Sequence, residues 1–209
     1  MEQEQLNQLV QVFLSKLHLP ESKADRPFIM ATIGLIGSGR TTVAKLMTEK
    51  LQGAVLVRSD SARFLLKKKE MPWGDNVRQI LKGVVTDLLK RGYGVVFDGN
   101  AADEEDRKNI SEIASQTGAK VFYVRINIDP EVARERKRAK YDDPSWISSF
   151  EDFRVNTTEK ILKNLDERIE LHQKLKSSEI PNLLGEVNND GSSEELKKQV
   201  DELALKILL

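Results

Sequence analysis

The 209-residue chain carries 33 lysine and arginine residues against 33 aspartate and glutamate residues, so its formal net charge is zero. This balance argues against a surface that follows nucleic acid along its whole length, although it is compatible with a local basic groove. Because the chain has no cysteine, disulfides, thiolate nucleophiles and zinc–cysteine sites are excluded.

The length fits one α/β domain over residues 1–209 better than two domains. The first residues show neither the basic segment nor the apolar segment of a secretory signal, and no apolar run approaches the length of a membrane span. We therefore expect a cytoplasmic protein without a membrane partner. His18 and His172 lie far apart, each within a predicted helix, so we do not expect a histidine metal site.

The first predicted element is an amphipathic helix. Apolar residues recur at helical spacing over residues 6–19, and Pro20 ends the pattern. We interpret residues 1–20 as an additional N-terminal helix that precedes a core of residues 28–208. The next element is an apolar run over residues 27–33, followed by glycine, which predicts a buried parallel strand.

From there strand-like and helix-like segments alternate along the chain. Strands are predicted at residues 54–57, 94–97, 120–128 and 182–187, and helices at residues 41–51, 77–91, 103–116, 130–140, 150–175 and 193–208. This alternation predicts an α/β fold with a five-stranded parallel sheet, right-handed crossovers and helices on both faces.

A glycine-rich segment follows the first strand and opens the next helix. Residues 34–42 meet the pattern Gly-x-x-x-x-Gly-Lys-Ser/Thr except that Arg40 stands where lysine is usual. Its glycines let the backbone direct N–H groups at phosphate oxygens, and the hydroxyl of Thr41 is the group expected on Mg²⁺. The predicted nucleotide-binding residues of this loop are Gly34, Gly37, Ser38, Gly39, Arg40, Thr41 and Thr42.

The arginine at position 40 affects what the loop is expected to do. Arginine keeps the positive charge of lysine and forks onto two phosphate oxygens, but it is longer and planar. We expect Arg40 to bind phosphate and to act in transfer, although nucleotide binding is predicted more firmly than turnover.

Asp60 and Arg63 follow the second predicted strand. Ligands lie at the carboxyl edge of a parallel sheet, so Asp60 is expected to face the terminal phosphate across the crevice. A carboxylate there takes the proton of an attacking hydroxyl or orients that hydroxyl, and Arg63 lies one helical turn further on. The alternative is that Asp60 only caps the following helix.

The third predicted strand ends at Asp98, Gly99 and Asn100. An aspartate at the end of an apolar strand suits a carboxylate that holds water around Mg²⁺, whereas Asp-Gly is also an ordinary turn. We expect Asn100 and Arg107 to contact the acceptor, but Arg107 equally fits a solvated helix face.

A basic lid is predicted at about residues 130–150. Residues 134–140 hold five cations and one anion, and such lids close over triphosphates, although charge runs also form solvated faces. Arg138 is the first choice for a catalytic lid residue and Arg134 the second, for the nucleotide. The loop at residues 187–191 is a weaker candidate for holding adenine through its backbone.

Taken together, these motifs resemble the small P-loop kinases of the polynucleotide 5′-hydroxyl kinase and zeta-toxin-like group, which are related to adenylate and shikimate kinases. The resemblance covers residues 28–208 and rests on the 34–42 loop, Asp60-x-x-Arg63, the Asp98-Gly-Asn strand end and the lid. It implies a three-layer P-loop NTPase fold and the cofactors ATP and Mg²⁺. It also implies that Asp60 activates the acceptor hydroxyl and that Arg63 orients the site.

The function favoured at this point is an ATP-dependent kinase that transfers the γ-phosphoryl group to an alcohol group. The acceptor is a hydroxyl of a small molecule, a nucleoside or a nucleic-acid end, and the neutral net charge favours something small. The alternative is an ATP-binding regulator or an NTPase with little transfer activity, because Arg40 replaces the lysine. A carboxylate at position 60 favours the kinase, since a nucleotide binder alone has no need of one.

Overall fold

The computed structural model describes residues 1–154 and 156–208. The strands, in chain order, are β1 (Phe28–Gly34), β2 (Ala54–Arg58), β3 (Gly94–Asp98), β4 (Lys120–Asn127) and β5 (Leu183–Asn188). Within the described residues they form one five-stranded sheet in the order β2-β3-β1-β4-β5, and every neighbouring pair is parallel. The predicted parallel sheet is confirmed.

The helices connect these strands and cover the sheet. They are α1 (Gln3–Leu14), α2 (Arg40–Lys50), α3 (Ser59–Lys68), α4 (Asp75–Lys90), α5 (Glu104–Thr117), α6 (Pro130–Asp142), α7 (Thr158–Lys174) and α8 (Ser193–Leu208). Within the described residues, no helix has both the length and the apolar character needed to cross a membrane.

Apolar side chains alternate along β1 between two cores. Ile29, Ala31 and Ile33 belong to a cluster with side chains of α1, α3, α4 and α5. Phe28 and Met30 belong to a second cluster with side chains of α2 and α8. Since successive side chains of a strand point to opposite faces, helices cover both faces of the sheet. The three-layer architecture is therefore as predicted.

The N-terminal helix α1 packs against α4 and α3 through one buried face, which includes Val10 and Phe13. Gly83 allows the close approach, because a Cβ atom there would lie 2.7 Å from Cγ2 of Val10. The helix ends at Leu14 instead of residue 19, since the next turn tightens: Lys16 N–H donates to the carbonyl of Phe13. His18 therefore lies outside the helix, contrary to the prediction.

Two further differences from the sequence-based prediction concern α3 and α7. A helix after the second strand is expected from the sequence without a stated range, and the structure defines it as α3; the helix predicted from residue 150 begins only at Thr158. Thr157 caps it by accepting a hydrogen bond from the amide of Lys160 at 3.4 Å. Ahead of this cap, Phe150 and Phe153 pack edge-to-face on Phe64 of α3, which holds that segment as a loop. The other elements agree with their predicted bounds to within two residues.

Candidate active site

The glycine-rich segment forms a tight loop between β1 and α2. The φ angles are +92° at Gly37 and +91° at Gly39, in the left-handed region that glycine adopts without strain. A Cβ atom on Gly37 would lie 2.6 Å from the carbonyl oxygen of Ala133 in α6, so no larger residue fits there. Because α2 begins at Arg40, its free N-terminal amides adjoin the loop.

Asn189, just after β5, contacts the phosphate loop and stabilises it. Its buried side-chain amide donates to the carbonyl oxygen of Ser38 at 2.8 Å, and its backbone amide donates to Asn127 at the end of β4. The side chain also closes on Gly39, where an added Cβ atom would collide with Nδ2 of Asn189. Residues 187–191 thus contact the phosphate loop, and their predicted contact with adenine stays a prediction.

Two buried polar atoms of the loop, Ser38 Oγ and Arg40 Nη1, lack a hydrogen-bond partner among residues 1–154 and 156–208. A buried polar group without a partner costs about 1–3 kcal/mol, so such a pair in one loop calls for an explanation. Phosphate oxygens are strong acceptors that match a hydroxyl and a guanidinium. The chemistry and the shape of the loop therefore fit a nucleotide phosphate.

Arg40 lies within electrostatic reach of two carboxylates. Its side chain is half-buried and folds over the start of the loop, where a Cβ atom on Gly34 would lie 3.3 Å from Arg40 Cγ. Burial lowers the pKa of the Arg40 guanidinium, while the carboxylates of Asp98 and Asp60 oppose that shift. The fold thus brings together three residues that the sequence places in three separate motifs.

Thr41 and Asp98, the predicted Mg²⁺ holders, are in direct contact. The Thr41 hydroxyl donates to Oδ2 of Asp98 at 2.9 Å, and Asp98 is the last residue of β3. A threonine that donates its proton to a carboxylate can still offer a lone pair to a cation, which suits a magnesium ligand. These two residues fit the ion on donor chemistry, whereas Thr42 is exposed on α2.

Arg58 is a site residue that the sequence motifs do not indicate. The last residue of β2, it lies opposite Asp98 in the parallel register. Its Nε donates to Oδ2 of Asp98 at 2.9 Å, and both side chains are about 8% exposed. Its Nη2 also reaches Oγ1 of Thr41 at 3.5 Å. The one feature of the sequence that could have indicated Arg58 as a site residue is its charge at the end of an apolar strand.

Asp60 and Arg63 form an ion pair at the start of α3. Nη1 of Arg63 donates to Oδ1 of Asp60 at 2.7 Å and to the hydroxyl of Ser59 at 3.0 Å, and the pair is about one-third exposed. Asp60 lies in the first turn of α3, whose N-cap is Arg58, and no side-chain cap bond is formed there within the described chain. The position therefore differs from the helix-cap alternative.

Asn100 connects the start of the phosphate loop to α7. Its Oδ1 accepts from the amide of Gly34 at 3.4 Å, and its Nδ2 lies 3.3 Å from Nε2 of His172. Since an amide nitrogen only donates, Nε2 of His172 accepts and its Nδ1 carries the proton. His172 is buried, and its burial, together with the positive charge of Arg40, lowers its pKa to about 4.

This buried histidine predicts a pH dependence of stability. Between about pH 4 and its ordinary pKa of 6.5, His172 binds a proton only in the unfolded chain, so stability falls as the pH falls. At about 1.4 kcal/mol per pKa unit, the loss from pH 7 to pH 5 is about 2 kcal/mol. Urea unfolding at both pH values is expected to show this extra loss in the wild type and not in His172→Gln. Equal losses in the two proteins would assign the pH dependence to other groups.

Arg107 braces the loop after β3. Its Nη1 donates to the carbonyl oxygens of Ala101 and Ala102, at 3.0 Å for the former. The carbonyl of Arg107 itself accepts from the hydroxyl of the buried Tyr123. These contacts differ from those of a solvated helix face, and the contact of Asn100 and Arg107 with the acceptor stays a prediction.

The predicted lid cations point in different directions. Arg134 donates to Oδ1 of Asp166 in α7 at 2.6 Å and pairs with Glu131, so its charge is engaged between α6 and α7. Arg138 is exposed and forms no ion pair or hydrogen bond with any described residue. Among the described residues, no hydrogen bond or ion pair joins Arg134 or Arg138 to residues 34–42, and their roles toward the nucleotide stay predictions.

Lys137 is a lid cation that interacts electrostatically with the site residues Arg40 and Asp60. Ala133 packs on Gly37, and Lys137 follows it by one helical turn on the same face of α6. Burial and the positive charges of Lys140 and Arg40 lower the pKa of Lys137 to about 8, while the carboxylate of Asp60 opposes this shift. Sequence spacing alone did not separate Lys137 from its four cationic neighbours.

The phosphate loop after β1 and the five-stranded parallel sheet covered by helices on both faces define a three-layer P-loop fold. A comparison with protein families matches residues 29–170 to the family described as an AAA domain, and the chain belongs to that family. A search of the curated proteins finds no match.

Solved structures with the same fold share little sequence with the chain. Kti12 of Chaetomium thermophilum in complex with ADP-AlF3 has 16% identity and a TM-score of 0.61, over 86% of this chain and 98% of that one. The Mycobacterium tuberculosis APS kinase CysC in complex with AMPPNP and APS has 18% identity and a TM-score of 0.56, over 88% and 99%. A chain of the PezAT chromosomal toxin–antitoxin system of Streptococcus pneumoniae has 15% identity and a TM-score of 0.58, over 100% and 96%.

Proposed function

We propose that this protein is an ATP-dependent phosphotransferase that moves the γ-phosphoryl group of ATP to a hydroxyl of an acceptor. The observation that carries the proposal is the Asp60 carboxylate, held by Arg63 at 2.7 Å and acting electrostatically on Arg40 of the phosphate loop. A base for the acceptor and a cation for the phosphates are the two groups that such a transfer needs from the protein.

The nucleotide phosphates are assigned to the amides of residues 37–42, the hydroxyl of Ser38 and the guanidinium of Arg40. The two atoms of this set that are buried without a described partner, Ser38 Oγ and Arg40 Nη1, would gain one in the complex. Thr41 and Asp98 would hold Mg²⁺, which neutralises charge on the phosphates when it is bound.

The acceptor hydroxyl is assigned to Asp60. In the transfer, the acceptor oxygen forms a bond to the γ-phosphorus, the bond from that phosphorus to the β–γ bridging oxygen breaks, and ADP leaves. The acceptor proton passes to the Asp60 carboxylate. Arg63 fixes the orientation of that carboxylate, and its partly exposed guanidinium is also available to an anionic acceptor.

The lid contribution is assigned to Lys137 ahead of Arg138 and Arg134. Lys137 is partly buried and acts electrostatically on both Arg40 and Asp60, so its ammonium group lies where charge moves during the transfer. Arg138 is exposed and is the cation most free to move onto a bound nucleotide when the lid shifts.

A second candidate function is an ATP-binding regulator with little transfer. It rests on Arg40, because a longer, planar cation binds phosphate and places its charge differently from lysine. The two candidates differ in one measurement: a screen with labelled ATP over small alcohols, nucleosides and nucleic-acid ends. Transfer to any acceptor supports the kinase, and saturable ATP binding with no transfer supports the regulator.

Both candidates predict that ATP with Mg²⁺ stabilises the fold. A ligand that binds only the folded state adds about 2.7 kcal/mol at 100 times its Kd. We expect a clear rise in Tm at millimolar ATP and Mg²⁺, and a smaller rise with AMP, which lacks the β- and γ-phosphates. A Tm that does not respond to ATP at these concentrations would contradict both functions.

A further inference from the structure

Arg58 contacts both of the side chains that we assign to Mg²⁺, Thr41 and Asp98. Its Nε shares Oδ2 of Asp98 with the Thr41 hydroxyl, and its Nη2 extends toward that hydroxyl. The pair is buried, so water screens little of the charge. A guanidinium does not lose its proton in proteins, so the positive charge is permanent.

The contact with Arg58 is expected to lower the affinity of Asp98 and Thr41 for Mg²⁺. In the nucleotide-free protein the Asp98 carboxylate is already neutralised by Arg58 at 2.9 Å, and a second cation nearby is repelled. Oδ1 of Asp98 accepts no hydrogen bond from residues 1–154 or 156–208, so one carboxylate oxygen stays available to a metal-bound water. The site is therefore able to take Mg²⁺, but only against the charge of Arg58.

We propose that Arg58 is a built-in counter-cation that competes with Mg²⁺ for Asp98 and Thr41. Nucleotide and metal binding are then strongly coupled, because Mg²⁺ enters together with the phosphates, whose negative charge offsets Arg58. This inference rests on the proposed function, because it assumes that the 34–42 loop binds a nucleotide. It makes Arg58 a positioning residue that sets the metal dependence of the site.

The fixed position of Arg58 follows from the sheet. Parallel pairing places residue 58 directly beside residue 98, and both residues are buried, so separating the pair would leave a buried charge without its partner. A purely structural role would also explain the burial, but it would not alter metal binding. A measurement of the coupling between metal and nucleotide binding, made in addition to a measurement of stability, therefore distinguishes the two roles of Arg58.

The experiment is ADP titration by calorimetry in Mg²⁺ and in EDTA, for the wild type, Arg58→Met and Arg58→Lys. The ratio of the two Kd values is the coupling factor, and such factors commonly lie at about 5–150-fold. We expect a large factor in the wild type and one about ten times smaller in Arg58→Met, because removing the charge of Arg58 tightens metal binding mainly in the absence of nucleotide. Arg58→Lys keeps the charge and is expected to stay near the wild type.

Arg125→Met is the matched control, because Arg125 is also a strand arginine with buried contacts, to the carbonyls of Leu175 and His172. Its coupling factor is expected to equal that of the wild type. Direct titration with Mn²⁺, followed by electron paramagnetic resonance without nucleotide, gives a second readout. Weak Mn²⁺ binding is expected for the wild type and about tenfold tighter binding for Arg58→Met.

Equal coupling factors in the wild type and Arg58→Met would overturn the inference. If Arg58→Met does not fold, a wild-type protein that binds Mn²⁺ tightly without nucleotide, at micromolar Kd, overturns it equally. Failure of the proposed function is a separate result, because ADP would then bind in neither buffer. The Mn²⁺ titration still decides the role of Arg58 in that case.

Discussion

Asp60→Asn is expected to reduce phosphoryl transfer by about 10²–10⁴-fold while leaving ATP affinity nearly unchanged. The amide keeps the size and one acceptor oxygen of the carboxylate, so contact with Arg63 persists in weaker form. What it loses is the capacity to take the acceptor proton. Single-turnover transfer from labelled ATP, together with ATP titration, separates the two effects once an acceptor has been found.

Asp75→Asn is the matched control for this variant. Asp75 also lies in the first turn of a helix, α4, and its carboxylate accepts from the side chain of Gln79 at the surface. Loss of a favourable charge at a helix N-terminus costs about 0.3–1 kcal/mol, so both variants are expected to lose some stability. Only Asp60→Asn is expected to lose transfer. Full activity of Asp60→Asn would leave Asp60 with a structural role in α3.

The parts of this site that sequence reasoning finds are those with a local signature. Gly37 and Gly39 are fixed by backbone angles that only glycine adopts without strain, and such a requirement is visible in one short segment. Asp98 is visible because an apolar strand ends in a carboxylate. The alternation of strands and helices gives the sheet, since parallel strands require crossover helices.

The parts that sequence reasoning misses are defined by register and by packing between distant segments. Arg58 contacts Asp98 because β2 and β3 pair in one register, 40 residues apart, and no local pattern records that register. His172 reaches Asn100 from α7, 72 residues along the chain. Lys137 is distinguished from Arg138 only by the packing of Ala133 on the phosphate loop.

α3 shows a related limit. Its sequence begins in a segment that reads as the end of a strand, and the helix starts at Ser59 without a side-chain cap bond among the described residues. Its buried Leu65 and Leu66 pack into the cluster shared by α1 and α4, so tertiary contacts rather than a start signal define it. This matters for function because α3 carries both Asp60 and Arg63.

The remaining large effect concerns Arg40, for which we propose a loop adapted to arginine. The side chain passes over Gly34, and its Nη1 atom is buried without a partner in the described part of the chain. Arg40→Met keeps the length of the stem and removes the guanidinium. It is expected to weaken ATP binding by about 10–100-fold, because charge-assisted hydrogen bonds contribute about 1.5–3 kcal/mol.

Arg40→Met is expected to weaken ATP binding but to stabilise the protein when no nucleotide is present. An unpaired buried polar atom costs about 1–3 kcal/mol, so without nucleotide the free energy of unfolding of Arg40→Met is expected to rise by about 1 kcal/mol. With ATP and Mg²⁺ present, the wild type is expected to be the more stable protein, because it binds ATP more tightly and is therefore stabilised more by it. Urea unfolding with and without ATP measures both signs.

Arg40→Lys separates an adapted loop from one that has only kept a charge. In an adapted loop the lysine side chain of Arg40→Lys is too short for its ammonium group to reach two phosphate oxygens. The transfer rate and the ATP affinity of this variant are then expected to equal those of the wild type or to fall by about tenfold. A large gain in the transfer rate of Arg40→Lys would instead mean that arginine slows the wild type and would favour the regulatory function. Unchanged ATP affinity in Arg40→Met would show that the guanidinium does not contact the phosphates, and the assignment of Arg40 to the nucleotide would then be wrong.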